Sequence, residues 1–229
     1  MDFETIEPWA DDVIASSPEN WPKELRAYAL AEPLAEIVIS AGDMRAILSH
    51  NARYRRFLNL SKADPLPPAR IGEQMDGDGF PKIGPVSWKE ISAFINVPFA
   101  TLDDVIPLML RGVTDRMAYV LHAFVYRQVS TKLHIFPFIE LRNAFEARFR
   151  IENGEPVHAK WMNRSDRAMP PAGSGERLSG FATKISEWAG IGHGLLDLVL
   201  LTGAQGEAIK VVEINPLLDS DPSERLFLA

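Results

Sequence analysis

Cysteine is absent from all 229 residues. Its absence excludes disulfides, thiolate metal sites and a cysteine nucleophile, and it fits a reducing, cytoplasmic compartment. A basic excess is missing too. The formal charge is −7, so no global field favours nucleic acid. The densest basic stretch, with Arg45, Arg53, Arg55 and Arg56, reads as the wet face of a helix. No run approaches the roughly 20 apolar residues that a membrane helix needs. The acidic start, Met1-Asp2-Phe3-Glu4, is not a secretory signal. The expectation is a soluble protein with neither nucleic acid nor membrane as a partner.

Several signatures of chemistry are also lacking. Neither the Gly-x-x-x-x-Gly-Lys-Ser/Thr loop nor the dinucleotide glycine fingerprint occurs, and there is no Gly-x-Ser-x-Gly elbow. Asp76-Gly77-Asp78-Gly79 opens like a calcium loop. The sixth position is Pro81 rather than glycine and the twelfth is Ser87 rather than glutamate, so it is rejected. His50, His122, His134, His158 and His193 show no zinc spacing.

What the chain does have is 46% hydrophobic residues, enough for one large domain or two small ones. Residues 1 to about 20 read as an extended arm. A helix starts near Trp21-Pro22-Lys23-Glu24 with Asn20 as cap. Glu36 to Ser40 is a strand, and a helix follows from about Asp43 to Leu58. Ala63 to Gly79 is a loop rich in proline and glycine. Phe80 to Pro85 is an irregular strand, and Thr101 caps a helix running to about Leu110. Ala118 to Val129 reads as an apolar strand. Ile135 to Glu140 is another, and its Pro137 predicts an edge or crossover position. Phe145 to Ile151 alternates cleanly, Asn153-Gly154 marks a hairpin, and Val157 to Met162 returns. A polar stretch over 163–179 precedes a helix from Phe181 to Ala189, which Gly190 ends. This order predicts an α+β fold. The arm and a small lobe would take 1–79, a first lobe 80–134 and a second lobe 135–229.

The most informative stretch is the tail, Val211-Val212-Glu213-Ile214-Asn215-Pro216. Period-two geometry points Glu213 and Asn215 to one face. Two hard oxygen donors at that spacing suit Mg²⁺. Just before it lies Leu195-Leu196-Asp197-Leu198-Val199-Leu200-Leu201, with one acid in an apolar run. A three-residue loop, Ala204-Gln205-Gly206, would pair Leu201 with Ile209 and set Asp197 opposite Glu213. Asp197, Glu213 and Asn215 would then converge as a metal site. The alternative is a solvated strand end, but an unpaired carboxylate inside a leucine run is expensive to bury. Upstream, Glu146, Arg148 and Arg150 share a face one hairpin from Lys160. That surface either binds phosphate oxygens or forms ion pairs on a wet sheet. Lys82 sits in Pro81-Lys82-Ile83-Gly84-Pro85, close to Ser87-Trp88-Lys89.

Taken in order, these residues resemble the ATP-grasp superfamily. A lysine strand (Lys82) precedes a hinge strand (Ile135 to Glu140). Then come Glu146-Ala147-Arg148, an acid on a strand (Asp197), and Glu213-Ile214-Asn215-Pro216. Within the superfamily the chain is most similar to the cell division cycle protein 123 family. Thr114-Asp115-Arg116-Met117 matches that family's Ser-Asp-Arg-Ile. Gly84-Pro85 stands in place of its Asn-Trp, Ala147 in place of an aromatic, and Glu213 in place of an aspartate. The resemblance implies two β-rich lobes clasping ATP. The backbone of Ile135 to Ile139, with Phe136, Phe138 and Ile139, would read adenine, and Glu140 or Glu146 the ribose. Lys82, Arg148 and Lys160 would hold phosphates, and Asp197, Glu213 and Asn215 would hold Mg²⁺. It further implies either of two functions. One is an ATP-dependent ligase that activates a carboxylate as an acylphosphate for attack by an amine or thiol, with Arg148 and Lys160 as catalytic cations. The other is an ATP-binding assembly factor for a protein partner.

Overall fold

The computed structural model describes residues 2–69, 78–87, 97–98, 102–139, 141, 144–162, 170–203 and 206–216. Of the expected features, the Thr101 cap, Trp88, Lys89, Glu140 and the loop residues Ala204 and Gln205 lie outside these. The chain forms two units. The first comprises Met1–Glu19 and Ala31–Ile139, and the second Asn20–Leu30 and Glu140–Ala229. Residues 1–19 and 31–79 therefore share a unit with 80–139. Among the described residues, no helix is long and apolar enough to cross a membrane.

The first unit has α1 (Ala10–Ala15), β1 (Ala35–Ile39), α3 (Ala41–Leu48), α4 (Ala52–Phe57), β2 (Asp78–Ile83), β3 (Val86–Ser87), β4 (Val97–Pro98), α5 (Leu102–Arg111), α6 (Asp115–Tyr126) and β5 (Thr131–Pro137). The strands form an antiparallel sheet in the order β1-β5-β2-β3, with β4 also on β2. Several sequence expectations are corrected here. The extended arm is instead folded into short helical turns and α1. Phe3, Ile6, Ala10 and Val13 are buried at helical spacing. The helix expected over 43–58 is two. Ser40 and Asp43 form a capping box at the start of α3, and Asn51 caps α4 by accepting from the Tyr54 N–H. The strand expected over 118–129 is the helix α6. Thr114 caps it, and every residue from Met117 to Val125 is buried. A helix buried all round shows no amphipathic period, so its apolar run imitates a core strand. Finally, β5 lies inside the sheet rather than at its edge. Pro137 is its last residue, where a missing N–H disturbs little.

The second unit has α2 (Lys23–Arg26), β6 (Ala144–Glu152), β7 (Glu155–Trp161), α7 (Ser174–Ala189), β8 (His193–Gly203) and β9 (Gly206–Pro216). Its sheet is antiparallel in the order β7-β6-β8-β9. One face carries the core: Ala147, Phe149, Ile151, Leu196, Leu198, Leu200, Val211 and Ile214 pack with Leu178, Ala182 and Ile185 of α7 and with Trp21 and Leu25. The chain from Tyr28 to Leu30 runs along β9, where Val211 donates its N–H to Tyr28 and accepts from Leu30. Asn153 and Gly154 both take positive φ in the β6–β7 turn, as a mirror-type hairpin requires. Helix α7 starts seven residues earlier than Phe181 and ends at Gly190 in the left-handed region.

The β8–β9 hairpin departs from the expected register and then rejoins it. Leu201 faces Ala208, not Ile209, because Gly203 pairs with Gly206 across a shorter loop. The register shifts between Asp197 and Leu198, so that Leu198 faces Val211 while Asp197 faces Glu213. Val212 is the extra residue. The bulge changes the parity of β9: Val211 points into the core before it, and Ile214 does so after it. Without that step Glu213 would follow Val211 into the core.

Candidate functional site

Lys160 on β7 faces Arg148 on β6, Arg148 faces Asp197 on β8, and Asp197 faces Glu213 on β9. One row of four charged side chains therefore crosses the whole second sheet, two cations followed by two carboxylates. It lies on the face opposite the α7 core. Asn215 is two residues beyond Glu213 on the same face, and Glu146 two residues before Arg148. Asp197 and Glu213 are buried, Arg148, Glu146 and Asn215 half-buried, and Lys160 exposed.

Arg148 is forked onto Asp197. Its Nε donates to Oδ1 at 2.7 Å and its terminal nitrogen to Oδ2 at 2.7 Å. The same terminal nitrogen lies 3.6 Å from Glu213 Oε1. Arg150 pairs with Glu152 at 2.7 Å. The ion-pair alternative for this face is thus present, but around Asp197 it is buried rather than wet. The premise that Asp197 lacks a structural partner is corrected, since Arg148 supplies one. Burial pushes the Asp197 carboxyl up from its ordinary value, Arg148 pulls it back, and the charge on Glu213 adds to the rise. The hydrogen-bonded Asp197 raises the Arg148 guanidinium further. Among the described residues, no group of three or more His, Cys, Asp or Glu could hold a metal ion. The expected trio therefore supplies two carboxylates and one carboxamide.

Lys82 lies in the first unit and is buried. It belongs to a second cross-strand row, Glu36 on β1, His134 on β5, Lys82 on β2 and Ser87 on β3. The Nε2 atom of His134 is 3.0 Å from Glu19 Oε2, and its Nδ1 is 3.1 Å from Glu36 Oε1. Glu19 also accepts from the Lys132 N–H at 3.1 Å and from the Thr131 hydroxyl. Burial works to raise the Glu19 carboxyl, but the hydrogen bonds from His134 and Thr131 outweigh it and hold it below its ordinary value. Sequence reasoning missed this surrounding of Lys82. The alternation of Lys132 and His134 with Leu133 and Ile135 was available as a signal. Glu19 offered none, because it lies over a hundred residues from its partners.

The expected adenine-reading segment is less open than a hinge strand. Ile135 is paired on both sides, with Ala35 and Pro81, and the Phe138 N–H goes to Asp78 O at 3.0 Å. Phe136 is half-buried opposite Phe80, while Phe138 and Ile139 are exposed.

No family model and no curated protein matches this chain. Solved structures do. Cdc123 from Schizosaccharomyces pombe matches with a TM-score of 0.59 at 16% identity, over 94% of this chain and 89% of that one. Its C-terminally truncated form matches at 0.58 and 15%, over 93% and 88%. The D-alanine–D-alanine ligase of Bacillus anthracis complexed with ATP reaches a TM-score of 0.40 at 12% identity, over 89% of this chain and 55% of that one. The α+β expectation, and the likeness to the cell division cycle protein 123 family, are borne out at the level of fold.

Proposed function

On the premise that this chain has the Cdc123 fold, we propose that it binds Mg²⁺ and ATP, with the metal and phosphates held by the charged row of the second unit. The observation that supports this reading is the row itself. It sets two carboxylates withdrawn from water face to face beside one guanidinium, with the Asn215 carboxamide on the same face. Hard oxygens grouped in this way suit Mg²⁺.

In this reading Glu213, Asn215 and Asp197 hold the metal, while Arg148 and Lys160 hold phosphate oxygens. Lys82 adds a phosphate contact, and Glu146 or Glu140 contacts the ribose. Phe136, Phe138 and Ile139 serve the adenine. Bound Mg²⁺ would supply neutralisation of the phosphate charge. The chain's own part is to present fixed cations and exclude water, which needs no protein nucleophile and so agrees with the lack of cysteine. The proposed reaction is ATP-dependent ligation of a carboxylate to an amine or thiol. A second reading, an ATP-binding assembly factor for a protein partner, draws on the near full-length correspondence with Cdc123 in both directions.

Thermal melts with and without millimolar Mg²⁺ and ATP test the binding. A raised melting temperature is expected, because a ligand of the folded state stabilises it by mass action. An unchanged melt would sink the nucleotide reading. Release of ADP or AMP when carboxylate and amine substrates are supplied separates the ligase from the assembly factor.

A further inference from the structure

The fork of Arg148 on Asp197 sits where the proposed function needs a metal. We propose that Arg148 is a built-in stand-in for the cation, so that the row accepts a divalent metal only together with a polyphosphate. This rests on the Mg²⁺–ATP reading and names how that site selects its ligand.

Both oxygens of Asp197 are engaged by Arg148 at 2.7 Å, and the same guanidinium reaches toward Glu213 at 3.6 Å. With Arg148 in place Asp197 is 1% exposed, so the guanidinium rather than bulk water balances its charge. A free divalent ion that displaced Arg148 would strand a guanidinium beside two new positive charges, in a place of low dielectric. A polyphosphate removes that penalty. Arg148 moves from one bidentate anion to another, for which its planar fork is equally suited. Lys160, next in the row, extends the cationic end toward solvent. The carboxylates then face the metal. Metal and phosphate binding are coupled through one side chain, and the coupling is reciprocal.

The fork also explains how the row stays folded without its ligand. Two neighbouring buried carboxylates would repel, and the Arg148 guanidinium beside both offsets part of that repulsion until the exchange.

The test compares wild type with Arg148→Met, which removes the charge and keeps the bulk. Each is titrated calorimetrically with Mn²⁺ alone, and melted with Mg²⁺ alone, ATP with EDTA, both together, and Mg²⁺ with inorganic tripolyphosphate. Wild type should shift only when metal and polyphosphate are both present. Arg148→Met should bind Mn²⁺ alone at least about tenfold tighter than wild type, and should melt higher with Mg²⁺ alone. Should Arg148→Met fail to fold, Arg148→Lys, which keeps the charge without the fork, should bind Mn²⁺ alone tighter than wild type, by a few-fold. Equal binding of free Mn²⁺ by wild type and the variant that folds would overturn the proposal, as would a wild type that shifts as far with Mg²⁺ alone as with both. A wild type silent to Mg²⁺–ATP, beside an Arg148→Met that gains free-metal binding, defeats the nucleotide reading and leaves the stand-in role supported.

Discussion

Glu213 and Asn215 hold no place in the second unit's core, so changing both tests metal binding without demolishing the sheet. Glu213→Gln with Asn215→Ala should abolish the Mg²⁺-dependent part of the ATP-induced melting shift. The same change should leave apo stability equal or slightly higher, because it removes one like charge beside Asp197. A purely structural role predicts lower apo stability and an unaltered Mg²⁺ effect. Lys82→Ala should weaken ATP stabilisation by on the order of 1–3 kcal/mol, the usual size of a lost charged contact. His122 makes a different kind of prediction. It is buried, its Nδ1 lies 2.9 Å from the Tyr54 hydroxyl, and burial lowers its pKa to about 4. Between its ordinary value near 6.5 and about 4, the unfolded chain takes up a proton that the folded chain refuses. His122 therefore contributes stability that is intact above that window and declines as the pH falls through it. Urea melts at several pH values should show this slope, and His122→Gln should flatten it.

At the scale of elements, two glycines in the left-handed region separate backbone strain from crowding. Gly190 has a φ of 62°, and a Cβ there would meet nothing within 4 Å. Gly84 has a φ of 52°, and a Cβ there would lie 3.1 Å from Thr131 Oγ1 and 3.2 Å from the Phe124 ring. Gly190→Ala should cost about 1 kcal/mol from the backbone alone, and Gly84→Ala clearly more, as read by denaturant titration. Strands that alternate, such as β6, and turns with a strong local preference, such as Asn153-Gly154, were legible in the sequence. So was the facing of Asp197 and Glu213, although the route to it was not. The odd residue was expected in the turn at Gly206 and stands instead at Val212. The parity change between Val211 and Ile214 was the mark of it. Helix α6 was misread because burial on every side erases the period. Arg148 and Lys160 could be placed on one face, but the fork onto Asp197 could not. It depends on β6 lying beside β8, a pairing between segments about fifty residues apart.

For the whole molecule, the division into units cuts across the order of the chain. The backbone passes from one unit to the other after Glu19, after Leu30 and after Ile139. Trp21 and Leu25 belong to the core of the second unit, although most of that unit is C-terminal. A fragment of residues 140–229 should therefore lack a cooperative melt. Its core would miss two large side chains, each worth roughly 2–3 kcal/mol when buried. Joining residues 20–30 to that fragment through a flexible linker should restore the transition in circular dichroism. The same arrangement governs how the protein is made. As the chain leaves the ribosome, Trp21 and Leu25 emerge more than a hundred residues ahead of the rest of their core, which runs from Ala147 to Ile214. Unlike the first unit, whose residues are all out once Ile139 has emerged, this early apolar piece must wait for the β8–β9 hairpin. At ordinary synthesis rates that wait is on the order of ten seconds or more, a period in which a chaperone would find these two side chains before their own sheet does.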